Sequence, residues 1–113
     1  MNAQKMMGIL GLAMKARQVS AGTDACRMLI RSGKCGIVLA DVKTASNTRK
    51  KISELCQKNG IPIRILPNGM IEEATGRTNM VLGICKSGFS EQIIRLLQED
   101  QAQQGSHNEV NDS

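Results

Sequence analysis

The sequence has 113 residues, 41% of them hydrophobic, and a formal net charge of +5. This length excludes a second sizeable domain. Because Phe89 is the single aromatic side chain, we expect one aliphatic core in which Met and Cys fill the gaps. All 15 basic side chains lie in residues 1–95 together with 6 of the 10 acidic ones, whereas residues 96–113 hold 4 acids and no base. The folded body is therefore more basic than the total indicates, which favours a polyanion as partner.

The first half of the chain predicts two helices and two strands. A first helix is predicted over residues 2–16 and a short edge strand within residues 17–20. The side chains that recur at helical spacing and should face the core are Met6, Ile9, Leu10 and Ala13. A second helix covers residues 23–32 and stops at Gly33. The apolar run at residues 37–40 predicts a strand that is buried on both faces.

The second half continues the alternation. A third helix is predicted over residues 47–59 and a strand over residues 61–66, with a proline at its start. A short helix follows, capped by Asn68. A strand at residues 80–85 and an amphipathic helix at residues 87–97 complete the pattern. The inward side chains of that last helix are predicted to be Ile93, Ile94 and Leu97.

Strands that alternate with helices predict a sheet covered on both faces. The expected fold is of the α/β class, a three-layer α/β/α sandwich with a small mixed sheet. Residues 1–99 are assigned to this one domain. Residues 100–113 form a polar, acidic tail with little to bury, and we expect it to be disordered.

Neither metal binding nor a membrane span is predicted. The single histidine, His107, lies in the polar tail, and no two cysteines form a Cys-x-x-Cys pair. Buried free thiols are therefore expected at Cys26, Cys35, Cys56 and Cys85. The apolar run at residues 6–14 is too short to cross a bilayer. We expect a cytoplasmic protein with no metal and no cofactor.

Patterns that indicate catalysis are weak. Gly8 and Gly11 lack the third glycine and the preceding strand of a dinucleotide fingerprint, and there is no Gly-Lys-Ser/Thr phosphate loop. A histidine-assisted nucleophile would depend on His107. Glu72 and Glu73 are adjacent, and neighbours on a helix do not share a face. No catalytic residue and no small-molecule substrate are predicted, which leaves only an acid or a thiol in a cleft as a catalytic alternative.

Three loops of the predicted sandwich should meet at one end of the sheet, where α/β proteins usually bind ligands. They cover residues 21–24, 41–47 and 76–79, the last of which includes Thr78. Gly22 and the amides after it offer donors at a helix start. With RNA as the polyanion, hydrogen bonds to base edges are expected from Thr23, Asp24, Asn47 and Asn79. Phosphate contacts are expected from Arg27, Arg31, Lys43, Arg49 and Arg77.

The second helix should carry a basic edge. Arg27, Arg31 and Lys34 follow one another at intervals of four and three, which predicts that they line up along one side. An ordinary solvated face is the alternative. Aromatic stacking platforms are missing, which argues against a binder of single strands and favours a reader of folded RNA shape.

The order of several motifs resembles the kink-turn-binding ribosomal proteins, the L-seven-A-e and L-thirty-e superfamily, and within it the small bacterial ribosome-associated YlxQ-like branch. The motifs are Gly-Leu-Ala-x-Lys-Ala-Arg-x-Val-x-x-Gly from Gly11 to Gly22, the Arg-Ser-Gly-Lys loop, the apolar strand ending near Asp41, Ala45-Ser46-Asn47-Thr48 with Lys50-Lys51, Asn-Gly-Ile-Pro at 59–62, and Glu-x-Ala-Thr-Gly before Arg77. The resemblance covers about residues 5–97.

This resemblance implies an α/β/α sandwich that grips a sharply bent RNA helix through a helix start and a second loop. Gly22 and Thr23 keep the family's turn, whereas Asp24, Ala25 and Met28 stand where the family has Asn, Glu and Lys. The implied function is non-enzymatic binding of structured RNA, either kink-turn-like or ribosomal, by a protein associated with the ribosome or its assembly intermediates. The alternative is a protein-interaction adaptor with the same fold, for which Met28 would offer an apolar anchor.

Overall fold

Helices and strands alternate along the chain in the computed structural model, which describes residues 2–99. The helices are α1 (Ala3–Lys15), α2 (Thr23–Arg31), α3 (Ser46–Lys58), α4 (Met70–Thr75) and α5, which covers residues 88–99. The strands are β1 (Val19–Ala21), β2 (Cys35–Asp41), β3 (Ile63–Leu66) and β4 (Val81–Cys85). The sequence predicted each of these elements. The predicted disordered tail, residues 100–113, lies outside the described residues.

The four strands form one mixed sheet in the order β1-β4-β2-β3. Strand β4 is antiparallel to both β1 and β2, whereas β2 and β3 are parallel. Parallel strands need a crossover connection, and α3 supplies it. Because β4 runs opposite to its neighbours, its first residue lies at the same end of the sheet as the last residues of β1, β2 and β3.

Helices cover both faces of this sheet, so the predicted three-layer α/β/α sandwich is confirmed. One core lies between the sheet and α1, α4 and α5, and it includes Met6, Leu10, Ile37, Leu39, Ile71, Leu82, Ile84 and Ile93. The other lies between the sheet and α2 and α3, and it includes Cys26, Ile30, Val38, Ala40, Ile52, Cys56 and Val81. Each fully buried Leu or Ile contributes roughly 1.5–3 kcal/mol. Among residues 2–99, no helix has the length and hydropathy needed to cross a membrane.

Two glycines let helices approach the sheet closely. A Cβ atom at Gly36, beside the β-bulge of β2, would lie 2.6 Å from the Ser90 Oγ of α5. A Cβ atom at Gly83 of β4 would lie 3.0 Å from Leu29 Cδ2 and 3.2 Å from Cys26 Sγ of α2. A larger side chain at either position would push a helix away from its core.

The connection from α1 to β1 turns through a non-glycine residue with a positive φ, Arg17 (58°). The Arg17 N–H donates to the Met14 carbonyl oxygen at 3.1 Å, and the Gln18 N–H donates to the Ala13 carbonyl oxygen at 2.9 Å. Glycine is the usual residue at this position of a helix end. An L-residue there costs roughly 1–2 kcal/mol, so the arginine is not explained by local stability.

The start of α4 and the inner face of α5 differ from the predictions. Gly69, with a φ of 82°, occupies the N-cap of α4, and no side chain caps that helix. The predicted Asn68 cap is therefore wrong. In α5, Leu96 is buried together with Ile93, whereas Ile94 and Leu97 are only partly buried. Ile94 and Leu97 still pack against the core as predicted, and Leu96 joins the same core as Ile9 of α1.

Candidate nucleic-acid interface

The three predicted loops do meet at one end of the sheet, which we call the loop end. The Gly22 N–H donates to the Val81 carbonyl oxygen at 2.9 Å and joins the β1–α2 connection to the start of β4. The Asp41 N–H donates to the Met80 carbonyl oxygen at 2.8 Å and joins the β2–α3 loop to the same segment. These contacts follow from the antiparallel pairing of β4 with both neighbours.

A fourth loop, between β3 and α4, belongs to the loop end and was not predicted. The side chain of Asp41, which is only 2% exposed, holds it there. One Asp41 carboxylate oxygen accepts the Gly69 N–H at 2.9 Å, and the other accepts the Lys43 N–H at 2.7 Å. The Thr44 hydroxyl donates to the Asp41 carbonyl oxygen at 2.6 Å. An acidic residue directly after a buried strand was the sequence signal for this role.

The start of α2 is open toward the loop end. Gly22 forms its N-cap with a φ of 96°, and no side chain makes a capping hydrogen bond. The Gly22 carbonyl oxygen accepts the Cys26 N–H at 3.0 Å. The amides of Thr23, Asp24 and Ala25 are therefore the orphan donors of this helix start. A Cβ atom at residue 22 would lie 3.1 Å from Asn79 Nδ2, so the Asn79 side chain lies directly beside these donors.

Most of the predicted basic side chains surround this opening. Lys43 and Arg77 are exposed in their loops, and Arg49 is half-buried in the first turn of α3. Arg27, also half-buried, lies 4.0 Å from the Asp24 carboxylate. The polar residues Asn47 and Thr78 are exposed. This arrangement places cationic side chains around a group of backbone donors, a combination that can bind an anion.

Lys34 does not extend the predicted basic edge. Helix α2 ends at Arg31, and Gly33, with a φ of 77°, turns the chain into β2. The Lys34 carbonyl oxygen accepts the Lys86 N–H at 2.8 Å, which places Lys34 at the opposite end of the sheet from the loop end. Arg31 lies roughly 12 Å along the helix from Thr23, because each helical residue rises 1.5 Å. The structure therefore places both Arg31 and Lys34 away from the loop end, and of the three predicted cations only Arg27 lies beside it.

Apolar side chains are exposed beside the loops, and sequence reasoning missed two of them. Val42 and Met80, on neighbouring loops, are 47% and 43% exposed. Met28, on the outer face of α2, is 73% exposed. The available signal was an apolar residue within a polar loop for Val42, whereas Met80 was predicted as the first residue of a strand that begins at Val81 instead. These side chains form an exposed apolar surface beside the loops.

The cysteine thiols are buried or half-buried in the cores rather than open to this interface. Cys26, Cys35 and Cys56 are buried and free, as predicted, and Cys85 is half-buried and free. Burial raises the pKa of Cys26 to about 12 and the pKa values of Cys35 and Cys56 to about 11. These three thiols are therefore protonated at neutral pH and poor nucleophiles. Within residues 2–99, no group of His, Cys, Asp and Glu side chains is arranged to hold a metal ion.

Known proteins share this fold and sequence pattern. RNA-binding protein YlxQ of Bacillus subtilis (strain 168) is 28% identical over 99 residues, covering 86% of this chain and 99% of the relative. RNA-binding protein YlxQ of Enterococcus faecium is 29% identical over 98 residues, covering 86% of this chain and 95% of the relative. These matches agree with the YlxQ-like resemblance noted in the sequence.

Solved structures of other proteins have the same fold as this chain. A protein of unknown function from Bacillus halodurans C superposes with a TM-score of 0.79 at 28% identity, covering 83% of this chain and 97% of that one. The Giardia lamblia 15.5kD RNA binding protein has a TM-score of 0.68 at 12% identity, covering 88% and 90%, and supports the fold alone. Residues 4–94 match the family described as the ribosomal protein L7Ae/L30e/S12e/Gadd45 family. The chain therefore belongs to the ribosomal protein L7Ae/L30e/S12e/Gadd45 family.

Proposed function

We propose that this protein binds structured RNA through the loop end and catalyses no reaction. The observation that carries the proposal is the uncapped start of α2, with Asn79 beside it and cations around it. Orphan amide N–H groups donate hydrogen bonds to phosphate or base oxygens, and the Asn79 side-chain amide offers both a donor and an acceptor to a base edge. Arg27, Lys43 and Arg77 contact phosphates. Val42 and Met80 pack against unstacked bases or sugars.

The RNA is kink-turn-like or ribosomal, and the protein acts in the cytoplasm on the ribosome or its assembly intermediates. Membership of a ribosomal protein family and the YlxQ relatives support this assignment. Asp24, almost fully exposed in the first turn of α2, accepts hydrogen bonds from base amino groups. It also brings negative charge close to phosphate. Recognition therefore depends on RNA that presents an amino group, rather than a phosphate, to Asp24.

Salt-dependent binding to deproteinised ribosomal RNA tests this function. The logarithm of the association constant should fall linearly with the logarithm of the salt concentration, with a slope of roughly −3 to −6 for four to seven phosphate contacts. The double variant Arg27→Gln, Arg77→Gln should make the slope less steep by about 2. A matched control, Lys5→Gln with Arg95→Gln, removes equal charge on the α1 and α5 side. A flat response, or equal losses in both variants, contradicts the proposed site.

Exposed Met28 favours a second candidate, a protein-interaction adaptor. An apolar side chain this open to solvent is typical of an anchor for a partner protein. A partner that stays bound after ribonuclease treatment, and is lost in Met28→Ser, would favour the adaptor. Release by ribonuclease, with Met28→Ser unchanged, favours RNA binding.

A further inference from the structure

The end of the sheet opposite the loop end carries its own row of cations. The Lys86 N–H donates to the Lys34 carbonyl oxygen at 2.8 Å, and the Cys85 N–H donates to the Gln18 carbonyl oxygen at 2.9 Å. Arg17 precedes Gln18 directly. Arg17, Lys86 and Lys34 therefore stand side by side in the order of their strands, β1, β4 and β2. We call this surface the basic end.

Positive charge is concentrated at the basic end. Arg17, Lys34 and Lys86 are all exposed. Because neighbouring strands lie about 4.8 Å apart, the three backbones span roughly 10 Å. Helices α1, α2 and α3 end at this side of the sheet, and the last residue of each is a further exposed cation: Lys15, Arg31 and Lys58. The connections at residues 16–18, 32–34, 59–62 and 86–87 contain no acidic residue, and Glu91 in the first turn of α5 is the acid nearest to them along the chain.

Stability alone does not account for this row. Lys15, Arg31 and Lys58 each complement the negative end of a helix dipole. Lys86, however, stands just before α5, where a cation opposes the dipole. Arg17 holds a left-handed backbone that glycine adopts without cost. In residues 2–99 the one ion pair joins Arg27 and Asp24 and lies on the loop-end side of α2. An external anion gives these cations a partner.

We propose that the basic end binds the phosphate backbone of a second RNA segment, so that one protein molecule bridges two segments of RNA. The inference rests on the RNA binding proposed for the loop end. Strand β2, with seven residues, separates the two ends by about 23 Å. A nucleic-acid strand carries about three phosphates over 10 Å at an axial spacing of roughly 3.4 Å. The basic end contacts phosphates only, whereas the loop end supplies the base-edge contacts.

A capture assay with two short RNA hairpins tests the bridge. One hairpin is immobilised, the protein is bound to it under conditions where sedimentation shows a monomer, and a second, fluorescent copy of the hairpin is then added. Wild type should capture the second hairpin. The variant Arg17→Gln, Lys34→Gln, Lys86→Gln should still bind the immobilised hairpin while its capture falls roughly tenfold. A matched pair keeps the charge change equal: Lys34→Gln, Lys86→Gln should lower capture, whereas Lys5→Gln, Arg95→Gln, on the α1 and α5 side, should keep it.

The outcomes separate the two proposals. If wild type binds the immobilised hairpin but captures no second one, or if the basic-end variant captures as well as wild type, the bridge is wrong and the loop-end function stands. If wild type binds neither hairpin, both proposals fail. Arg17→Gly serves as a second variant in case the triple variant misfolds. Glycine adopts a positive φ without strain, so this substitution removes the charge and the backbone strain together. It should raise the melting temperature and still lower capture, and unchanged capture by a correctly folded Arg17→Gly protein would count against a contact there.

Discussion

Gly22→Ala tests the geometry of the candidate interface most directly. Gly22 has φ and ψ angles of 96° and 161°, a region that only glycine enters readily. An L-residue held there costs about 1–3 kcal/mol. A Cβ atom would also lie 3.1 Å from Asn79 Nδ2, so the Asn79 side chain would have to move by a few tenths of an ångström. The expected loss in the free energy of unfolding is therefore about 1–3 kcal/mol, together with weaker RNA binding.

A double-mutant cycle separates the two causes. Urea unfolding is measured for Gly22→Ala, Asn79→Ala and the double variant. If the close contact contributes, Asn79→Ala will offset part of the loss, whereas a purely backbone effect will be additive. Gly33→Ala is the matched control, because its φ of 77° is also positive and nothing lies within 4 Å of the added Cβ. It should lose about 1 kcal/mol of stability and keep its RNA affinity at the loop end.

A Gly22→Ala protein whose free energy of unfolding stays within about 0.5 kcal/mol of wild type would contradict this prediction, since that is the usual range for a surface substitution without structural consequence. Such a protein would show that the start of α2 tolerates another backbone conformation. Equal loss of RNA affinity in Gly22→Ala and Gly33→Ala would instead show that binding follows overall stability. Either outcome removes the α2 start from the proposed mechanism.

Three further changes test the sandwich and its loops. Gly36→Ala should destabilise by about 1–3 kcal/mol, because the new Cβ would lie 2.6 Å from Ser90 Oγ; calorimetry should show partial recovery with Ser90→Gly, and no recovery would mean that another contact is responsible. Asp41→Ala should cost about 1–3 kcal/mol by leaving two amides without an acceptor, and unchanged hydrogen exchange at Gly69 would contradict that role. The free energy of unfolding should begin to fall near pH 9, because burial raises the pKa values of three thiols above 9.0 in the folded protein. The unfolded chain therefore loses these protons first, and stability decreases as the pH rises. A free energy of unfolding that stays constant up to pH 11 would contradict this for Cys26, Cys35 and Cys56.

The elements and most of their inner faces could be predicted from the sequence, because these depend on local periodicity and on the conformational limits of single residues. Met6, Ile9, Leu10 and Ala13 recur at helical spacing and are all buried. Gly33 and Gly76 end their helices with positive φ, as glycines do. The alternation of strands and helices was enough to predict three layers.

The order and direction of the strands, by contrast, depend on long-range pairing. The order β1-β4-β2-β3, with β4 reversed, brings the loop residues together and sends Lys34 and Lys86 to the other end. Asp41 holds a loop from a distant part of the chain, with a hydrogen bond to Gly69 across a sequence separation of 28. Arg17 takes a conformation that its own preferences oppose. Such features depend on long-range packing, whose energy is set by neighbours distant in sequence and therefore leaves no local pattern to read.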